Sequence, residues 1–235
     1  MENIIADAAF LEFAKVKFVW DMSFFSVRNV NALYRAHYKF IGALRPDTAL
    51  ARSNVEAVRD RLVHCANYLE DDDVYCISTA TSWDYAWSMR DGREERGKRR
   101  LHEHVCYNER RAAAESSRFN RDLKELKAAV QEGKGIDAKM ERARLLLTFK
   151  ATPARGTRVE YNDEAIRQHT RDFGYFVLLS NEVKEGDRVL EIYLNKDLVE
   201  KDLRQPDEPP RLQAHAGRLG RKPRRQAVRG ICRPD

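Results

Sequence analysis

Apolar residues fall along this chain with two periods, and the switches between them mark out its elements. Ile4, Ile5, Ala8, Ala9, Leu11 and Phe13 fit one face of a short helix over 4–14. Residues 16–20 (VKFVW) are β-prone and run into Asp21, which places that acid at the C-terminal end of a predicted strand. Residues 26–34 read as a helix with Ser26 as N-cap, and 38–44 as a second strand. Strand, turn, helix and strand make one α/β unit with parallel strands.

The pattern continues with a helix over 54–64. Three acids at 71–73 break it, and the charged stretch 92–100 is expected to be an exposed loop. Residues 101–107 read as a strand. A long charged helix over 109–132 carries a narrow stripe of Phe119, Leu123, Leu126 and Val130, and Gly133 and Gly135 close it. A helix over 137–147 pairs with it as a helical hairpin. A short strand over 157–161 and a short helix starting at 162–166 follow. The run 174–181 (GYFVLLSN) is nearly continuous in apolar residues, as a buried central strand requires. A last helix spans 188–203.

Composition changes this picture only at the C-terminus. Apolar residues make up 43% and charged residues 34%, as in a globular protein, and no apolar run approaches the ~20 residues of a membrane span. The first residues carry no basic n-region, so no secretory leader is expected. Cys65, Cys76, Cys106 and Cys232 form no CxxC pair, and reduced thiols are expected. The net charge of +6 is concentrated, because residues 202–235 hold nine basic side chains against four acidic ones. The nearly neutral body therefore gives no charge argument for DNA. Five of the seven prolines also lie beyond 202, and a disordered basic tail over 204–235 is expected.

Candidate chemistry sits on the last helix. Tyr193, Lys196 and Glu200 stand at i, i+3 and i+7 and share one face, beside an apolar stripe of Leu190, Ile192, Val199 and Leu203. Spacing alone describes a surface ion-pair row equally well. The surrounding words say more. GYFVLLSN, a short loop and then EIYLNKDLVEK (191–201) resemble the insertion-sequence transposases of the DDE class. In that family a buried strand leads to a helix bearing Tyr-x2-Arg-x3-Glu-x6-Lys. Tyr193 and Glu200 match, Lys196 stands in place of Arg, and Asp207 falls at the final Lys position. A second segment, FVWDMSFFSVRNV (18–30), resembles the family's strand that ends on its second acid, with Ser23 where Gly is usual.

The resemblance implies an α/β fold: a partial RNase-H-like mixed sheet with a largely helical insertion between the second and third catalytic acids. The core would occupy 1–45 and 157–203, and the insertion 46–156. Asp21 and Glu200 would be two of three carboxylates holding Mg²⁺ for DNA cleavage and strand transfer, since in-line displacement at phosphorus suits two hard cations held by acids. Tyr193 and Lys196 would contact DNA phosphate or sugar. Transposon-end DNA and an intact transposase as homo-oligomer are the implied partners, with no membrane and a cytoplasmic, nucleoid-associated location. The family's first acid, on an earlier strand, has no counterpart before Asp21, where Asp7 alone occurs and outside strand context. The chain is therefore expected to be a transposase fragment inactive by itself. The alternative is a non-catalytic DNA- or protein-binding regulator derived from one. The Arg-, Pro-, Gly- and Ala-rich tail reads as out-of-frame coding sequence, its rival being a basic arm over 218–229 on DNA.

Three further groups carry possible chemistry. His102, His104 and Cys106 alternate on one strand face and could ligate Zn²⁺ with Cys65 or Cys76 as fourth ligand. Without a compact ligand pair, a mixed strand face is favoured. Trp83, Tyr85 and Trp87 could stack on bases but more often belong to a core or strand face. The helical hairpin could meet a partner helix, and its narrow stripe is equally explained by packing on its own domain.

Overall fold

A computed structural model of the chain describes residues 5, 17–89, 91–132, 137–152 and 156–204, with side chains described except at 137–140, 151–152, 156–157 and 197–204. The helix expected over 4–14 lies outside these residues apart from Ile5, and so does the tail from 205 onward.

The fold is mixed α/β. Strand β1 (Lys17–Trp20), helix α1 (Val27–Arg35) and strand β2 (Lys39–Ala43) form the expected unit, with β1 and β2 parallel. Ser26 caps α1 as its sequence indicates, its Oγ accepting from the Asn29 N–H at 3.1 Å. Helix α2 (Ala49–Leu62) begins five residues before the expected start, because the Thr48 hydroxyl accepts from the Ala51 N–H and supplies an earlier cap. Strands β3 (Tyr68–Leu69), β4 (Val74–Ser88) and β5 (Glu94–Tyr107) follow. Helices α3 (Glu109–Gln131) and α4 (Asp137–Leu146) then lead to a β6–β7 hairpin (Leu147–Thr152 and Gly156–Tyr161). Helix α5 (Asp163–Thr170), strand β8 (Tyr175–Ser180) and helix α6 (Gly186–Arg204) complete the described chain.

Six strands form one sheet in the order β1-β2-β8-β5-β4-β3, and every pair after β1–β2 is antiparallel. The expected central strand is β8, lying between β2 and β5 with Val177, Leu178, Leu179 and Ser180 buried. The expected loop over 92–100 is wrong from Glu94 onward. That stretch is the outer half of β5, paired in continuous register with β4 from Tyr75↔Tyr107 to Ser88↔Glu94. The last β5–β8 pair is His102↔Ser180, so beyond it β4 and β5 run on as a two-stranded ribbon. Solvent reaches most of this half of β5, so its side chains need no apolar alternation and its charges read as a loop. The middle of the chain is thus less helical than expected, since it supplies three of the six strands of the main sheet.

Apolar clusters lie on both faces of the sheet. Leu33, Tyr34, Phe40, Val55, Leu62, Tyr85 and Leu101 join α1 and α2 to one face. Ile41, Cys106, Leu178, Val183, Val189 and Leu190 seat α6 on the other. Each fully buried Leu, Ile or Phe contributes roughly 1.5–3 kcal/mol. A third cluster, with Phe119, Leu123, Leu126, Leu146 and Val159, holds the α3–α4 hairpin on its own neighbours. The described residues up to Asp197 belong to one compact unit and those from Leu198 to Arg204 to a second. Among the described residues no helix is long and apolar enough to cross a membrane.

Candidate functional site

Asp21 is where its sequence puts it, immediately beyond β1 with an extended backbone (φ −80°, ψ 166°). Its exposed carboxylate accepts from the Met22 N–H and starts a short 3₁₀ turn. Strand alternation sets its face. Phe18 and Trp20 join the α1–α2 cluster and Val19 the α6 cluster, so the extended Asp21 follows Val19 to the α6 side. The position of Trp20 is fixed by its neighbour across the ladder. Trp20 lies opposite Gly42, and a Cβ at Gly42 would fall inside the indole ring. Trp20 therefore packs directly on glycine backbone and stands 5.0 Å from the Phe40 ring.

Helix α6 is positioned by the loop that precedes it. The fully buried Ser180 Oγ accepts from Val183 N–H at 2.9 Å and from Glu182 N–H at 3.2 Å, which turns the chain over the sheet. Asn181 extends the β2–β8 ladder through its side chain: Nδ2 donates to the Tyr38 carbonyl, and Oδ1 accepts from Phe40 N–H, both at 2.9 Å. Lys17 pairs with Glu182 at 2.8 Å, and that bond holds the Glu182 carboxyl below its ordinary value.

His104 ties the same loop down. Its Nε2 lies 3.2 Å from the Val183 carbonyl and its Nδ1 2.8 Å from Ser78 Oγ. A carbonyl only accepts, so Nε2 carries the proton and Nδ1 accepts from the serine hydroxyl. Burial pushes the His104 pKa down to about 4, so the ring is neutral near pH 7. Gly186 then opens α6 against β4, where an added Cβ would lie 2.9 Å from Cys76 Sγ and 3.2 Å from Ser78 Oγ.

From there α6 buries Val189 and Leu190 completely. Ile192 and Tyr193 pack on the same cluster as Val19 and Met22, the residues flanking Trp20-Asp21. Tyr193 and Lys196 are half-buried, with Lys196 Nζ 5.5 Å from the centre of the Tyr193 ring. Both residues named from the sequence as DNA contacts thus sit together on one helix. Glu200 lies on the stretch of α6 whose side chains are outside the described residues.

The remaining sequence candidates are structural. His102, His104 and Cys106 do share a face, but His104 is bonded to Ser78 and Val183, and Cys106 meets Cys76 at 3.0 Å. Cys65 is exposed beyond α2, outside the sheet. Trp83 donates from Nε1 to Asn31 Oδ1 at 2.7 Å, Tyr85 is buried, and Trp87 lies under the Arg35 guanidinium at 4.9 Å. Among the described residues no group of three or more His, Cys, Asp or Glu side chains converges as a metal site. Asp21 alone does not fit a two-ion centre, which needs several carboxylate oxygens at once.

Sequence reasoning missed an acidic hollow of about 400 Å³ where Asp71 and Asp72 of the β3–β4 turn meet Asp187, Arg188 and Glu191 of α6. Burial first, then Asp71, Glu191 and Asp187, raise the Asp72 carboxyl. The three acids at 71–73 were its only sequence signal. The cleft of about 530 Å³ near Arg52, Glu115, His169 and Tyr175 holds none of the predicted site residues. Comparisons with protein-family models, curated proteins and solved structures return no match.

Proposed function

We propose that this chain is a DNA-binding fragment of a DDE-type transposase with a partial RNase-H-like core, which engages transposon-end DNA through the α6 face without cutting it alone. The observation that carries this is the convergence on one sheet face of the two segments that the resemblance singles out. Asp21 follows Val19 to that face, and Tyr193 with Lys196 arrives there on α6, through the cluster that also holds Met22. The strand-end acid and the helix-borne Tyr and Lys are the parts that the resemblance assigns to one site.

In this reading Lys196 neutralises a phosphate and Tyr193, under its ammonium, lends it a fixed direction. Asp21 and Glu200 keep the family's role of Mg²⁺ ligands in an intact enzyme. No cleavage step is assigned to this chain, because a single described carboxylate cannot hold two ions.

The test uses DNA from the flanks of the chain's own gene, with shuffled DNA of equal length as control. Flank DNA is expected to bind more tightly and to weaken as salt rises. Lys196→Ala should reduce the slope of log affinity against log salt by about 1. Equal binding to both DNAs, or a slope unchanged by Lys196→Ala, would sink the proposal. Nicking of flank DNA on adding Mg²⁺ would overturn the non-cutting part.

A further inference from the structure

We propose that Cys76 and Cys106 form a modification site: an oxidisable thiol pair that hydrogen peroxide converts to a disulfide beneath the first turn of α6. The two residues are direct partners in the antiparallel β4–β5 register. Such partners have Cα atoms about 4.5–5.5 Å apart, within the range a disulfide spans. Both thiols are free, and Cys106 Sγ approaches Cys76 Sγ to 3.0 Å, so bond formation needs an approach of about 1 Å. The sequence offered Cys76 only as a possible fourth Zn²⁺ ligand beside His102, His104 and Cys106, with a mixed strand face favoured. The pairing across two strands depends on the long register that only the fold reveals.

The surroundings set the order of events. Cys106 is fully sealed on β5, and Cys76 on β4 is 9% exposed. Burial, then the neighbouring Cys76, pushes the Cys106 thiol well up, so it stays protonated and waits. Cys76 sulfur attacks one peroxide oxygen and releases its thiol proton. An S–O bond forms, the O–O bond breaks, and the departing hydroxide takes up a proton to become water. Cys106 sulfur then displaces hydroxide from the Cys76 sulfenic acid, forming S–S and breaking S–O. That hydroxide takes the Cys106 proton and leaves as a second water. Each sulfur gives up one electron and the peroxide takes two.

Position gives the bond its consequence. Gly186, the first residue of α6, packs on Cys76 Sγ. Oxidation would therefore fasten β4 to β5 at the point on which α6 begins. The inference stands on the β4–β5 register and does not depend on the DNA proposal.

The experiment treats the reduced full-length chain with hydrogen peroxide, native and in concentrated urea, blocks remaining thiols and digests without reductant. In the native sample one linked peptide pair is expected, joining Cys76 to Cys106 with the loss of two hydrogens and reversed by dithiothreitol. In urea the pairings should scatter over all four cysteines. A Cys65→Ser, Cys232→Ser variant should give the same native link. The proposal is overturned if native Cys76 and Cys106 remain thiols while Cys65 oxidises. It is equally overturned if Cys76 proceeds to sulfinic acid with no link, or if the native pairings are as scattered as those in urea.

Discussion

Two glycines share a positive φ and differ in what surrounds them, which allows a steric cost to be isolated. Gly92, in the turn of the β4–β5 ribbon, has φ +81°, and an added Cβ would meet nothing within 4 Å. Gly174, just before β8, has φ +82°, but its Cβ would lie 2.6 Å from Ala112 Cβ and 2.8 Å from the Asn108 carbonyl oxygen. Gly92→Ala pays the left-handed backbone penalty of about 1–2 kcal/mol, partly offset by about 0.4–1 kcal/mol from a stiffer unfolded chain. Gly174→Ala adds an overpacking cost of about 1–3 kcal/mol. Relief by movement is blocked at both ends of the residue. Its N–H donates to Glu115 Oε2 at 2.8 Å, and its carbonyl accepts from Asn108 N–H at 3.1 Å. We therefore expect a net loss of about 1 kcal/mol for Gly92→Ala and about 2–4 kcal/mol for Gly174→Ala, out of a typical total of about 5–15 kcal/mol. Urea unfolding with a common slope reads the difference directly as a shift in midpoint. Equal destabilisation by the two variants would refute the close approach of α3 to the start of β8.

Two further outcomes follow from buried polar groups. The folded-state pKa of His104 is depressed from 6.5 to about 4, so its share of stability is complete above about pH 6.5 and is lost as pH falls towards 4. That loss is on the order of 3 kcal/mol, and urea midpoints across this range should fall less steeply in His104→Gln than in the wild type; parallel profiles would contradict it. Asn31→Ala strands both the Trp83 Nε1–H and the Ala86 carbonyl, each now paired at 2.7 Å. It should cost about 2–4 kcal/mol, and a loss below about 0.5 kcal/mol would show that the ribbon does not lean on α1 through this residue.

The parts of this fold that were legible in the sequence are those whose cause is local. Ser26 sits three residues before the N–H it caps. The run Tyr175–Ser180 is apolar because β8 has strands on both sides and helices over both faces. Tyr193 and Lys196 share a face because a helix repeats every 3.6 residues. Asp21 could be placed at a strand end for the same kind of reason. What escaped was set by pairing at a distance. Glu94–Arg100 carry no apolar alternation because that half of β5 is largely exposed, although Asp91-Gly92 was a hairpin signal. Without that ribbon the register was invisible. So were the Ser78–His104–Val183 tie and the contact of Cys76 with Cys106, each of which joins residues on different elements.

The sheet order also dictates when the candidate site can come into being. Phe40 and Asn181, which bond across β2 and β8, are 141 positions apart in the chain. The β4–β5 ribbon closes through a short turn and can zip up early, whereas the seat shared by β1 and α6 must wait for the longest loop closure in the main sheet. A ribosome will have released nearly the whole described chain before that seat exists. Until then the apolar face of β8 has no cover, and this is the interval in which a chaperone or a protease would find it.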